Sequence, residues 1–367
     1  MNKVRKFVKS CKAEGFIPSC QRAYGQLKMK WLNATCYTQA DKAHWETLRN
    51  HLGRGKLYII GNGPSLNKTP LYLLKGKSTL CFNHFHIMEE RINWKPTMFM
   101  CSDYLVIKDL LEEGFDMTAD CQACFLPKIH QQGVRFDKLV PPSEKIFWLR
   151  LKGTGGYSNQ MPDVYGSGSV VYPAIQVANF LGFDEIVLLG VDMNYKIQET
   201  ALQKSKYYEK EVVAAQDDDP NHFDSRYFGK GKSFHQPKAD IMQAQRDSFD
   251  YIGRNQRKYG TNIINAGYDS KVESFPKVDF IESLGYTKEQ IRRLFEEMLA
   301  DKTKYSSVQS FYESCDELKD ISMVAEFTDK SFYIDVDCGV VLIKKMIQTH
   351  LPLGPYDGKY FFVRRGE

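Results

Sequence analysis

From residue 56 onward the chain alternates short apolar runs, most of them continuous, with helical or polar stretches, a pattern that few architectures accept. The runs cover residues 56–60, 78–82, 97–101, 123–126, 145–151, 185–191 and 262–264. A strand with one wet face alternates polar and apolar side chains, whereas a strand covered on both faces is apolar throughout. Helices fit between several runs, notably over 170–181 and 239–259. The pattern predicts an α/β fold: a Rossmann-like, doubly wound and largely parallel sheet.

Composition narrows the class further. The chain has 367 residues, 43% of them apolar and 26% charged, which excludes disordered and fibrous chains. Nine cysteines lie scattered along it. The close pair Cys121 and Cys124 has no second such pair and no nearby histidine pair to complete a zinc site, so the thiols are expected to be reduced. The net charge of +5 is uneven, because residues 1–56 hold twelve Lys and Arg against three acidic residues. Such asymmetry points to an anionic surface as partner.

The expected organisation is threefold. Residues 1–55 form a basic helical extension, 56–285 the Rossmann-like nucleotide-binding catalytic domain, and 286–367 an α+β appendage. In the extension, Val4, Phe7, Val8 and Cys11 recur at helical spacing among lysines and an arginine, and a second helix follows Pro18 with Tyr24, Leu27 and Trp31 on one side. Two readings of residues 2–32 follow, a helix packed on the domain with a solvated basic face or peripheral contact with an anionic membrane, and no nucleic-acid partner is expected. No apolar run approaches the ~20 residues that span a bilayer, which predicts a cytoplasmic chain at the inner membrane face. In the appendage, Thr287 is the expected cap of a charged helix, and 331–336 and 359–363 look like strands.

Open α/β sheets bind ligands at the carboxyl ends of their strands. Here those ends carry Gly61-Asn62-Gly63-Pro64-Ser65, then Asn83-His84, then Ser102-Asp103, and Asp192 after the run at 185–191. Gly61 and Gly63 permit a tight turn close to a ligand, and Ser65 could cap a helix whose N-terminus favours phosphate. The loop is neither GxGxxG nor a Walker loop.

Taken together, Gly61–Leu66, Asn83, the Ser/Gly-rich stretch from Gly166 and the Leu-Gly-Phe-x-Glu-Ile-x-Leu-x-Gly-x-Asp series ending at Asp192 resemble the bacterial family 42 sialyltransferases. The same series is similar to the wider superfamily that includes hydroxymethylpterin diphosphokinase-like enzymes (domain of unknown function 115). The likeness covers roughly residues 56–265. It implies a glycosyltransferase that moves a nonulosonic acid from a CMP-activated donor to a glycan or glycolipid by inverting displacement. It further implies that Asn62, Asn83, Asp192 and either Ser167 or Ser169 hold the nucleotide. The general base implied is a histidine five residues ahead of an aspartate, which matches His235 before Asp240, with His222 as competitor. The tyrosines that face the leaving phosphate match Tyr195 and one of Tyr207, Tyr208 or Tyr227.

The loop 226–232 is more basic than the resemblance implies, and its cations could meet a phosphate, which keeps an ATP- and Mg-dependent diphosphokinase as alternative. A non-catalytic nucleotide-binding protein is the third reading. Asp217-Asp218-Asp219 reads as a solvated acidic turn, since consecutive residues rarely converge on one ion, and neither metal nor cofactor is assigned beyond the donor itself.

Overall fold

The computed structural model describes residues 16–285 except 50, 70, 91, 93, 131–132, 204–210 and 269, together with four strands between 325 and 364. An eight-stranded sheet organises the first part. Its strands are β1 (Lys56–Ile60), β2 (Ser78–Phe82), β3 (Met98–Met100), β4 (Ala123–Pro127), β5 (Ile146–Thr154), β6 (Asp163–Gly166), β7 (Glu185–Leu189) and β11 (Asn262–Asn265), in the order β11-β7-β1-β2-β3-β4-β5-β6. Every neighbouring pair runs parallel. All seven apolar runs are strands, and the α/β Rossmann-like expectation holds. The short edge strand β6 was not expected.

Period-two alternation explains the runs. In β1, Leu57 and Ile59 face one layer while Tyr58 and Ile60 face the other. In β4, Ala123 and Phe125 face the first layer while Cys124 and Leu126 face the opposite one. The first layer consists of α2 (Gln39–Arg49), α4 (Val171–Leu181) and α5 (Ala239–Tyr259). On the other side lie 3-10 turns, α3 (Tyr104–Glu112) and α6 (Phe280–Leu284). Left-handed glycines close α4 at Gly182 and α5 at Gly260.

The helical extension divides into two parts. Helix α2 belongs to the core: Trp45 is buried, stacks on Phe125 at 5.3 Å and donates from Nε1 to the Trp148 carbonyl at 3.0 Å. It opens on a capping box, in which Asp41 accepts from the Thr38 N–H at 2.7 Å and Thr38 Oγ1 accepts from the Asp41 N–H at 3.3 Å. Lys128, at the end of β4, holds the same carboxylate at 2.7 Å. The apolar layer on this face of the main sheet therefore includes residues before 56. Helix α1 (Phe16–Thr35) differs, because Ile17, Tyr24, Leu27 and Trp31 are each at least 64% exposed. The expected helix over 2–13 lies outside the described residues.

Two small antiparallel sheets complete the account. One contains β8 (Leu202–Gln203), β9 (Glu211–Val213) and β10 (Ser233–His235), in the order β10-β9-β8. The other contains β12 (Ala325–Thr328), β13 (Ser331–Asp335), β14 (His350–Pro352) and β15 (Lys359–Arg364), in the order β12-β13-β15-β14. It includes both strands expected in the appendage, whereas the helix expected after Thr287 lies outside the described residues. The described cysteines Cys20, Cys36, Cys81, Cys101, Cys121 and Cys124 are free thiols.

Candidate functional site

Because every strand of the main sheet is parallel, the loops after β1, β2, β3 and β7 share one edge. The chain leaves β1 toward β2 on one side and returns to β7 on the other, so β1 and β7 flank the topological switch point. That junction is laced shut. The Gly61 N–H donates to the Leu189 carbonyl at 2.7 Å and the Gly63 N–H to the Gly190 carbonyl at 2.8 Å. Gly190 has φ +61, and a Cβ there would lie 2.5 Å from Leu66 Cγ. A Cβ on Gly63 would lie 2.4 Å from the Asp192 carboxylate.

Asp192 explains the closeness. Its carboxylate accepts from the Ser65 N–H at 2.8 Å and from the Ser65 hydroxyl, capping the 3-10 helix Pro64–Lys68. The place that the sequence suggested for phosphate is taken by a carboxylate of the chain itself. Ser65 does not cap its own helix, and this helix start has no N–H directed at a ligand phosphate through Ser65. Gly61, Gly63, Ser65 and Asp192 thus join the ends of β1 and β7.

Asn62 and Asn83 differ from that set. The Asn62 Nδ2 donates to the Phe82 carbonyl at 3.2 Å and to the Tyr227 hydroxyl at 2.8 Å. A carbonyl can only accept, so the amide orientation is fixed, and Oδ1 is left buried with no hydrogen-bond partner. Asn83 adopts φ +55, a left-handed conformation that asparagine tolerates, and its Oδ1 is likewise buried without a partner. Its side chain lies against the same Tyr227 hydroxyl. Two adjoining strand ends thus present two amide oxygens, both acceptors.

The loop that follows β9 covers them. Tyr227 is fully buried, and burial pushes its hydroxyl well above the usual phenol range, so it stays protonated. The His222 ring stacks flat on Tyr227 at 3.8 Å, and the Phe223 N–H donates to the Asn62 carbonyl at 2.9 Å. Asp219-Pro220-Asn221-His222 folds as an Asx turn, with the Asn221 N–H on Asp219 Oδ1 at 2.8 Å. This brings His222 Nδ1 to 2.6 Å from Asp219 Oδ2, which also accepts the Phe228 N–H at 3.1 Å. The carboxylate assigns the proton to Nδ1 and leaves Nε2 as the basic nitrogen. Asp219 is therefore buried and engaged, a correction to the solvated acidic turn. The three neighbours diverge: Asp217 accepts from the Lys230 N–H, and Asp218 from Gln198, Thr200 and Gln216.

No family model matches the chain, and no curated protein matches it. Among solved structures, a MAf glycosyltransferase from Magnetospirillum magneticum AMB-1 aligns at 14% identity with a TM-score of 0.34, over 71% of this chain and 41% of that one. The chain thus spans less than half of that protein. A likeness this slight carries no argument about chemistry.

The remaining expected residues are spread along the same edge. Asp103 caps α3 through the Leu105 N–H at 2.8 Å, beside Ser102. Ser167 is buried with an unpartnered hydroxyl, while Ser169 Oγ accepts the Val171 N–H at 3.3 Å at the start of α4. Tyr195 is exposed in the loop after β7. His235 is an exposed residue ending β10, in reach of His130, whose ring burial holds below the ordinary imidazole range. Tyr207 and Tyr208 lie outside the described residues. In the basic loop, Arg226 is paired with Asp224 at 3.0 Å and Lys232 with Glu113 at 2.9 Å, so these two cations already have carboxylate partners.

His84, at the strand end beside Asn83, was given no role by the sequence pattern. It is fully buried beside Tyr227 at a centroid distance of 5.2 Å, and neither ring nitrogen has a hydrogen-bond partner. Burial pushes its pKa down to about 2, with the Lys232 ammonium adding to the effect, so the imidazole is neutral.

Proposed function

We propose that the chain is a glycosyltransferase that takes its sugar from a nucleotide-activated donor, most specifically a CMP-linked nonulosonic acid, and passes it to a glycan or glycolipid. The observation that carries this reading is the pair of unpartnered amide oxygens of Asn62 and Asn83 beneath His222. Amide oxygens accept hydrogen bonds, so they suit the ribose hydroxyls or exocyclic amine of a nucleoside and not its phosphate. Leaving them unpaired costs the free protein about 1–3 kcal/mol each, which a matching ligand recovers.

In the displacement, the acceptor oxygen attacks the anomeric carbon, the bond from that carbon to the phosphate oxygen breaks, and CMP departs with the electron pair. His222 Nε2 is positioned by Asp219 to take the acceptor proton, and His235 is the competing base. The diphosphokinase alternative has less support, because Arg226 and Lys232 already pair with carboxylates and Asp217, Asp218 and Asp219 diverge. Thermal-shift assays of the full chain should show stabilisation by CMP and CDP exceeding that by ATP with Mg²⁺. The reverse ranking would move the reading to phosphoryl transfer, and nucleotide binding with no turnover of any CMP-sugar would favour a non-catalytic protein.

The acceptor reading draws on α1. Its exposed Ile17, Tyr24, Leu27 and Trp31 stand at helical spacing beside Lys28 and Lys30, which supports peripheral contact with an anionic membrane. Among the described residues no helix is long and apolar enough to cross a membrane. Full-length protein should sediment with anionic vesicles at low salt, and the combined Tyr24→Ser, Leu27→Ser, Trp31→Ser variant should not. Equal sedimentation of both proteins would remove α1 from the contact.

A further inference from the structure

We propose that His84, His86 and Glu113 form a binding site for one divalent first-row transition ion of the zinc class. The three donate one ligand atom each, and these atoms all lie within 4.8 Å of one another. His86 Nε2 is 3.8 Å from Glu113 Oε2. Tetrahedral zinc, with bonds of roughly 2.0–2.2 Å, needs donor atoms about 3.4 Å apart, so small side-chain rotations close the set.

The backbone explains how residues two apart come to share a ligand. In a regular 3-10 helix, positions i and i+2 point to different sides, because a turn takes three residues. The segment Asn83–Glu90 is not regular: Asn83 has φ +55 and His84 breaks the helical geometry at φ −82, ψ 28. The kink leaves the two imidazole rings 5.8 Å apart, edge to face. His86 is steadied by stacking on Phe115 at 4.5 Å. Glu113 sits at the end of α3 on the solvent side, which provides an entry route. Lys232 binds its Oε1 at 2.9 Å and leaves Oε2 for the ion.

A second observation points to a ligand independently. His84 has no exposed surface, yet neither ring nitrogen finds a hydrogen-bond partner. Buried polar groups in folded proteins are nearly always satisfied, and a neutral imidazole nitrogen is also a metal ligand. The Asp109 Oδ2, one helical turn before Glu113, is buried without a hydrogen-bond partner as well. Two imidazoles with one carboxylate suit zinc, cobalt, nickel or ferrous iron, whereas magnesium and calcium prefer all-oxygen sets. The cluster includes neither the Cys121 and Cys124 pair nor the Asp217–Asp219 run. An ion there would fix the kinked turn that carries Asn83, yet its binding is measured without nucleotide and does not depend on the glycosyltransferase reading.

The test uses full-length protein stripped of metal with a chelator, then titrated with Zn²⁺ and Co²⁺. The expected result is one equivalent of Zn²⁺ bound, a raised unfolding temperature and visible Co²⁺ bands of a nitrogen and oxygen ligand set. His86→Gln and Glu113→Gln, both on the more accessible side, should fold normally by circular dichroism. Each should weaken binding by more than the ~10–100-fold that loss of an outer-shell partner costs. Absence of one-equivalent binding would overturn the proposal, as would unchanged affinity in both variants. Intense thiolate-to-Co²⁺ charge-transfer bands would also overturn it, because cysteines would then hold the ion.

Discussion

Replacing His222 with alanine is expected to lower sugar transfer by a factor of about 10²–10⁴ while nucleotide affinity stays near that of the unaltered protein. An acceptor hydroxyl is a weak nucleophile until a positioned base takes its proton. His222 has the features of such a base: a carboxylate on Nδ1 at 2.6 Å, a ring clamped against Tyr227 and a partly solvent-accessible side chain. The fold should survive the change, because His222 lies in a loop outside the strands and helices. Asp219→Asn should also reduce turnover, because it removes the charge that holds the Nδ1 proton and stabilises the imidazolium formed. His235→Ala is the control, since that residue is exposed at the end of β10. Steady-state kinetics with a CMP-sugar on the three variants decides the matter. Loss of turnover in the His235 variant alone would make His235 the base, and no loss in any variant would remove histidine catalysis from the account.

The largest effect on stability is expected at Trp45. Truncation to alanine should cost about 3–5 kcal/mol, by lost burial and by the cavity left among Phe125, Phe147 and Phe180. It also orphans the Trp148 carbonyl, which accepts the indole N–H. Domains are stable by only about 5–15 kcal/mol, so the change removes a substantial fraction. Urea unfolding should show a lower midpoint with an unchanged slope. A midpoint equal to that of the unaltered protein would mean that α2 is an appendage and not a layer of the core.

That second result bears on how the sequence is read. The central strands were legible because burial on both faces leaves few polar residues to interrupt them. Helix α2 was not, because only Trp45 and Leu48 of its eleven residues are buried and its polar remainder blends into the basic region around it. Strand β6 escaped notice for the same reason, with Val164 its one buried residue. In the site, Asn62 and Asn83 were legible from position alone, since each follows a buried strand at the edge where ligands bind. The bond between Ser65 and Asp192 was not, because it joins residues 127 positions apart and turns an apparent phosphate cradle into an internal cap. Asp219 looked like one member of an acidic run until the proline turn placed it under His222. The cluster of His84, His86 and Glu113 was hidden by a backbone kink that no residue pattern announces.

The central claim is that the ends of β1 and β2 form a nucleoside site. Calorimetric titration of CMP into the full-length protein and into its Asn62→Ala and Asn83→Ala variants tests it most directly. The expected result is a measurable affinity for the unaltered protein and a loss of at least about tenfold in each variant, with unfolding temperatures that stay within a few degrees. CMP affinity equal to the unaltered protein's in both variants would contradict it.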